Sequence, residues 1–199
     1  MGQKSMQDLF EKNARAAEEF ESDRRGFLKA GLFVTAALGF WTPSLAEAAA
    51  PNTARVLRLQ QPYTGEKFSG EYWYNGRYLP DAFGEIKYLM RDHRVNEQFP
   101  IDPRLMDILF VMQNRLRSKT PFNLLSGYRS PATNARLRRM SEGVARNSLH
   151  MTGQAIDLRL PGTKTSVVRK AAIDLKSGGV GFYPRSDFVH IDTGRVRAW

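Results

Sequence analysis

The chain has 199 residues, a formal net charge of +10 and no cysteine. The absence of thiols excludes disulfides and thiolate metal sites, so any bound metal must take nitrogen and oxygen ligands. The excess of positive charge favours anionic partners, but it describes a generally basic, solvated surface equally well.

Residues 1–48 are predicted to be a twin-arginine signal peptide. Residues 22–29 read Ser-Asp-Arg-Arg-Gly-Phe-Leu-Lys, an apolar run follows over 30–41, and Ala46-Glu47-Ala48 fits a small-residue cleavage site. The alternative is a buried amphipathic helix that happens to carry two arginines. The apolar run is too short to span a bilayer comfortably, so no stable membrane span is expected after cleavage. We therefore predict export by the twin-arginine pathway into the periplasm.

The rest of the chain is predicted to hold a linker at 49–54 and a single domain at 55–199. Residues 1–48 contain six basic and seven acidic side chains, so the remainder carries a net charge of +11. In the periplasm this charge suits an anionic cell-wall polymer or membrane surface, and nucleic acid is not an expected partner.

Hydrophobic periodicity and turn signals predict an α+β domain. Asn75-Gly76 marks a tight turn, Asp102-Pro103 begins the clearest helix, and Thr165 is a candidate helix cap. Because most helices precede the densest strands, we predict an antiparallel sheet that carries the functional site and is flanked by helices. The predicted elements are strands at 55–59 and 67–73, helices at 81–93 and 103–116, a strand at 122–126, a helix at 131–139, a strand at 155–160, a helix at 165–176, and strands at 181–183 and 188–192.

Three polar residues near the C-terminal strands form a candidate metal site. Antiparallel pairing of strands 155–160 and 188–192 could put Asp157 and His190 side by side on one face, with apolar neighbours on the other. His150 lies seven residues before Asp157, in a loop that contains a glycine and can bend back. Two imidazoles and one carboxylate can form a zinc site with a fourth position left for water, as a hydrolytic centre requires.

Several motifs carry a resemblance to a known family. SxHxxGxAxD at 148–157, followed by DxxH at 187–190, resembles the D-alanyl-D-alanine metallopeptidases, which include zinc D,D-carboxypeptidases, vancomycin-resistance dipeptidases and murein endopeptidases. The SGYRS segment at 126–130, with Asn134, resembles the second motif of that family. The GGVGFYPRSD run at 178–187 and the leader most resemble the YcbK-like (MepK) periplasmic murein endopeptidases. The likeness covers nearly the whole chain.

The resemblance implies a role for each matching residue. It makes His150, Asp157 and His190 the zinc ligands. Asp187 matches the catalytic carboxylate, which takes a proton from water and later passes one to the leaving amine. Arg129 matches the arginine that stabilises the carbonyl oxygen as it becomes an oxyanion. Weaker candidates, for contacting the substrate or supporting the ligands, are Ser148, Tyr128 and Asp192.

Two acids compete for the role of base. Asp187 is three residues from His190 and would face the other side of a regular strand, so its role requires the strand to begin after Asp187 or to bend there. Asp192 shares the face of His190 without any bend and is the alternative base.

The function implied is that of an exported zinc metallopeptidase that cuts peptide bonds, preferentially crosslinks, in peptidoglycan. The sequence leaves open D,D or L,D bonds, and endopeptidase or carboxypeptidase action. The alternatives are a non-catalytic zinc-containing murein-binding module and a basic polyanion-binding protein. Asp187 and Arg129 favour catalysis, because a structural zinc site needs neither and normally has a fourth protein ligand.

Overall fold

The computed structural model describes residues 54–141 and 143–199, which form one α+β domain. The predicted signal peptide and residues 49–53 of the predicted linker lie outside the described residues. Among the described helices, none combines the length and apolarity needed to cross a bilayer. The elements are β1 Ala54–Gln60, β2 Lys67–Tyr74, β3 Arg77–Tyr78, α1 Pro80–Leu89, α2 Pro103–Arg115, β4 Phe122–Ser126, α3 Pro131–Met140, β5 Ala155–Arg159, α4 Thr165–Ile173, β6 Gly179–Tyr183, β7 Phe188–Asp192 and β8 Arg197–Ala198, with short 3-10 helices at Leu149–Thr152 and Pro184–Ser186.

The eight strands form one sheet in the order β3-β2-β1-β4-β5-β7-β6-β8. The predicted α+β class is confirmed, but the sheet is mixed. β1 pairs with β4 in parallel, and β6 pairs with β8 in parallel, whereas the other neighbouring strands are antiparallel. A parallel pair needs a long connection between its strands, and α1 and α2 supply it between β1 and β4.

The pairing of β5 with β7 confirms the register expected from the sequence. Asp157 lies opposite His190, and Ile156 lies opposite Ile191. The aliphatic side chains of both strands are buried in the core, and α4 packs against β6 and β7. Burying one such side chain contributes about 1.5–3 kcal/mol, so a slip of one residue, which would exchange the two faces, is strongly disfavoured. The core therefore fixes the polar pair on the opposite face.

Helix α1 ends four residues before the predicted limit of His93. Arg91 is held by Glu66 and Asn96, while Asp92 pairs with Glu97 in an isolated antiparallel bridge. These contacts use the residues that would form the next helical turn. The predicted extension was wrong because polar long-range contacts outweigh the local helical pattern at this point.

Helix α4 also differs from its prediction. It ends at Ile173 rather than Lys176, and its N-cap is Lys164, without a capping side-chain bond. The hydroxyl of Thr165 instead donates a hydrogen bond to Asp187. Gly178 and Gly179 lie beyond the end of the helix and pass so close to Asp192 that a Cβ on either residue would overlap it.

The bend that the Asp187 assignment required is present. The Pro184–Ser186 turn ends at Asp187, whose φ of 51° lies in the left-handed region, and β7 begins only at the next residue. Asp187 therefore does not follow the alternation of β7.

Candidate metal centre

Three side-chain atoms converge on one point at the polar face of β5 and β7. His150 Nε2 lies 3.2 Å from His190 Nδ1 and 3.3 Å from an oxygen of Asp157, and that oxygen lies 2.9 Å from His190 Nδ1. A tetrahedral ion with bonds of about 2.0–2.1 Å holds its ligand atoms roughly 3.3 Å apart. The three predicted ligands therefore have the spacing of three corners of a tetrahedral metal site.

His150 reaches this point because its loop turns sharply. Gly153, at the end of the Leu149–Thr152 turn, has a φ of 65°, and a Cβ there would overlap Pro100 O. Only glycine meets both demands without strain. The turn leaves His150 buried, with its side chain 3% exposed.

Hydrogen bonds outside the triad fix which imidazole nitrogens face inward. His150 Nδ1 lies 2.7 Å from the carbonyl oxygen of Gly127, and His190 Nε2 lies 3.0 Å from Asp192. Each outer nitrogen must carry a proton to donate to these acceptors, so each inner nitrogen of a neutral ring presents a lone pair. Two lone pairs and a carboxylate oxygen thus meet at hydrogen-bond distance, an arrangement that a cation stabilises. The residues present fit a divalent metal ion.

The pKa shifts within the triad also indicate a site that favours positive charge. Burial alone would raise the pKa of Asp157, but the charge and hydrogen bonds of His150 and His190 hold it well below its usual range. Burial would lower the pKa of His190, yet hydrogen bonds to Asp157 and Asp192 outweigh it and raise the pKa to about 9. The site attracts positive charge.

Asp192 supports the ligands. Its side chain is fully buried and accepts hydrogen bonds from the backbone N–H groups of Gly179 and Gly194 and from Arg197, in addition to the contact with His190. A carboxylate with so many fixed donors is poorly suited to collect a proton from water, because protonation would break these bonds. The geometry therefore favours a positioning role for Asp192 over the alternative role of base.

We expect Asp192→Asn to weaken metal affinity by about 10–100-fold, because partners of this kind orient the ligand and raise its basicity. The amide would also set an N–H group against fixed donors. Competition with a chromogenic chelator measures the affinity. Asp174→Asn, in an exposed pair with Lys170, is the matched control and should bind metal normally. Equal affinities of the Asp192→Asn and wild-type proteins would contradict the assignment.

Arg129 lies beside the triad. Its guanidinium is 3.7 Å from the second oxygen of Asp157 and donates to Asn134 and Ser126, each at 3.3 Å. Its side chain is 11% exposed, and its Nε has no hydrogen-bond partner among the described residues. The group is thus held at the edge of the cavity by an ion pair with Asp157 and by two long hydrogen bonds to neutral side chains.

The carboxylate of Asp187 contacts Thr165 and Arg159 rather than the triad. It accepts from Thr165 and is 3.7 Å from Arg159, with its side chain 63% exposed. Arg159 follows Asp157 by two residues along β5, so both side chains leave the same face of the sheet. Asp187 thus approaches one side chain of the face that carries the triad, but it is not among the residues that line the cavity, although its neighbours Ser186 and Phe188 are. Sequence reasoning missed the contacts with Thr165 and Arg159, because no local pattern encodes them.

The two weaker candidates, Ser148 and Tyr128, lie in different surroundings. Ser148 lines the cavity just before the turn that carries His150. Tyr128 is buried, stacks on Phe99 and donates its hydroxyl to Glu97. These contacts give Tyr128 a packing role outside the cavity lining, and its suggested role in contacting the substrate or supporting the ligands stays a prediction.

The triad opens into a cavity of about 600 Å³. Its lining includes Ser141, residues of the 143–149 segment, and aromatic side chains of β6, β7 and the C-terminal segment. Sequence reasoning also missed four residues of this lining, which are Tyr183, Phe188, Arg197 and Trp199.

Fold and site together define a class of protein: an α+β domain whose sheet carries a His-Asp-His centre open to a cavity, as in hydrolytic zinc sites. Comparison with known proteins supports this assignment to a class. Residues 48–199 match the family described as "Peptidoglycan L,D-endopeptidase MepK".

Individual proteins are also similar in sequence to this chain. The chain is 41% identical to the peptidoglycan L,D-endopeptidase MepK of Escherichia coli (strain K12) and to that of Shigella flexneri, each over 182 residues that cover 92% of this chain and 100% of the relative. It is 42% identical to the probable peptidoglycan L,D-endopeptidase MepK of Haemophilus influenzae over 146 residues, 73% of this chain and 78% of the relative. The chain belongs to the MepK family and is a peptidase.

Proposed function

We propose that this protein is a periplasmic zinc endopeptidase that hydrolyses L,D peptide bonds in peptidoglycan crosslinks and thereby takes part in cell-wall remodelling. The observation that carries the proposal is the convergence of His150, Asp157 and His190 at tetrahedral spacing beside an open cavity. The choice of an L,D bond is supported by the described activity of the relatives.

Zinc is the metal that best suits the ligand set. Two imidazole nitrogens and one carboxylate oxygen, with no thiolate, match catalytic zinc sites with two histidines and one acidic ligand. A zinc ion there supplies a Lewis acid and lowers the pKa of coordinated water towards neutrality.

Asp187 supplies the base in this proposal. In this role its exposed carboxylate accepts the proton of the attacking water and returns a proton to the leaving amine. The role requires the side chain to leave Thr165 and Arg159 and to turn towards the triad, and it is supported by the left-handed backbone at Asp187, because this residue does not follow the alternation of β7.

Arg129 supplies the positive charge for the oxyanion. Its position beside Asp157 places a planar, permanently charged donor at the edge of the cavity, where the carbonyl oxygen of a bound peptide gains negative charge.

Digestion of purified crosslinked peptidoglycan, followed by mass spectrometry of the muropeptides, tests the proposal. Two substrates are compared, one crosslinked through D,D bonds and the other through L,D bonds. The proposal expects L,D-crosslinked dimers to fall to monomers, with no loss of C-terminal residues from uncrosslinked stems.

Each other outcome contradicts a stated part of the proposal. Preferential loss of D,D dimers would overturn the bond assignment, and trimming of uncrosslinked stems would show carboxypeptidase action. Unchanged dimers of both kinds, with zinc bound and the protein retained on peptidoglycan, would show a non-catalytic binding module instead.

A further inference from the structure

One side of the cavity is a wall of three aromatic side chains, Tyr183, Phe188 and Trp199, which we call the aromatic wall. Tyr183 and Phe188 stack with their ring centroids 4.4 Å apart and an interplanar angle of 14°. The indole N–H of Trp199 donates to the hydroxyl of Tyr183 at 3.0 Å. The three rings therefore form one connected surface.

Trp199 brings this wall up to the metal ligands. Its ring centroid is 5.4 Å from that of His190, and its backbone N–H and C=O bond to Val180 and Phe182 of β6. Gly181, between them, has no side chain, and a Cβ there would lie 2.8 Å from the indole. The backbone and the missing side chain together fix the indole beside the triad.

Trp199 nevertheless remains 48% exposed as a residue. A half-exposed tryptophan leaves a large apolar area in contact with water, which is unfavourable unless something covers it. The other residues that line the cavity include Ser141, Gly143 and Ala145, and with them in place Trp199 keeps this exposure.

The guanidinium of Arg197, which lies next to Trp199, cannot serve as an anion receptor. The guanidinium of Arg197 lies 4.8 Å from the centroid of the indole, but it is bound to Asp192 through both terminal nitrogens. The surface offered at this side of the triad is therefore apolar and aromatic rather than positively charged.

We propose that the aromatic wall, with Trp199 at its centre, is the subsite that binds an aliphatic side chain next to the scissile amide. This inference rests on the proposed function, since it places a peptide across the triad. A substrate amide held at His150 and His190 lies within one side-chain length of the indole, and methylene groups pack favourably on an aromatic face. Trp199 thus determines substrate affinity without taking part in proton transfer.

The test is steady-state hydrolysis of a soluble L,D-crosslinked muropeptide by Trp199→Ala, Trp199→Phe and wild-type protein, with zinc content measured for each. Loss of the indole contact is expected to raise KM by about tenfold for Trp199→Ala, with kcat within about threefold of wild type and zinc retained. Trp199→Phe should lie between the two. Trp73→Ala is a matched control, because Trp73 also carries an arginine over its ring, at 4.3 Å from Arg55, and does not line the cavity.

A second measurement covers the case in which Trp199→Ala fails to fold. In a Trp41→Phe/Trp73→Phe protein, Trp199 is the single tryptophan, and stopped-flow mixing with the muropeptide should change its emission with a concentration dependence that follows KM. As the muropeptide is consumed, this change should reverse and the emission should move back towards its level without intact substrate.

The results separate this inference from the proposed function. A KM for Trp199→Ala within twofold of wild type, or a joint fall in zinc content and kcat at constant KM, would overturn the subsite, as would an emission that ignores the muropeptide. If wild-type protein leaves the muropeptide intact, the proposed function fails, and the emission of Trp199 alone then decides whether the wall binds the peptide.

Discussion

Replacing Asp187 by Asn is expected to lower kcat for crosslink hydrolysis by about 10²–10⁴-fold, the usual contribution of a positioned general base, while zinc stays bound. The amide of Asn cannot accept the proton of the attacking water. The fold should tolerate the change, because Thr165 can still donate to the side chain and the contact with Arg159 is exposed and long. Single-turnover digestion of L,D-crosslinked muropeptides, paired with zinc analysis, measures the effect.

Asp174→Asn serves as the control for Asp187→Asn, since Asp174 is a surface acid on the segment after α4 and should leave the rate unchanged. Asp187→Glu keeps the carboxylate and should retain part of the activity. A zinc-loaded Asp187→Asn protein that digests at the normal rate would contradict the assignment of Asp187 as the base. A rate loss in Asp192→Asn with zinc fully retained would then shift the role to Asp192.

Replacing His190 by Ala is expected to abolish both zinc binding and hydrolysis. His190 contacts the ligand Asp157 through one imidazole nitrogen and the positioning residue Asp192 through the other. Loss of the metal removes several kcal/mol of transition-state stabilisation, on the order of 10³-fold or more in rate. Zinc content after dialysis and the rate of muropeptide digestion are the two measurements.

His93→Ala is the matched control, because the chain has three histidines and His93 is the one outside the triad. Its Nε2 lies 3.2 Å from the carbonyl oxygen of Leu89, and it is half-buried away from the cavity. It should retain zinc and activity. If His190→Ala bound zinc as tightly as His93→Ala does, the triad would not be the metal site.

The pairing of Asp157 with His190 could be predicted from sequence because it depends on local information. Alternation on two strands sets the faces, and burial of residues such as Ile156 and Ile191 fixes the register, so the polar pair follows. The position of His150 could be anticipated only as a possibility, since it depends on a turn against Pro100 that is far away in the sequence.

The parts that could not be predicted depend on contacts between distant segments. Thr165 looked like a helix cap, but its hydroxyl binds Asp187, 22 residues further along the chain. Trp199 gave no signal, because a short terminal segment has no periodicity, and its place beside His190 depends on β8 pairing in parallel with β6. The sequence motif was enough to predict the candidate metal ligands, whereas the shape of the cavity could be described only from the fold.

If His150, Asp157 and His190 hold one zinc ion that is needed for hydrolysis, removing and restoring that ion must remove and restore activity. The protein is stripped with a chelator and zinc is then titrated back, while digestion of L,D-crosslinked muropeptides is followed. We expect activity to be lost on stripping and to return linearly up to one zinc per chain. Full activity in the stripped, zinc-free protein, or zinc bound at one per chain without any hydrolysis, would contradict this expectation.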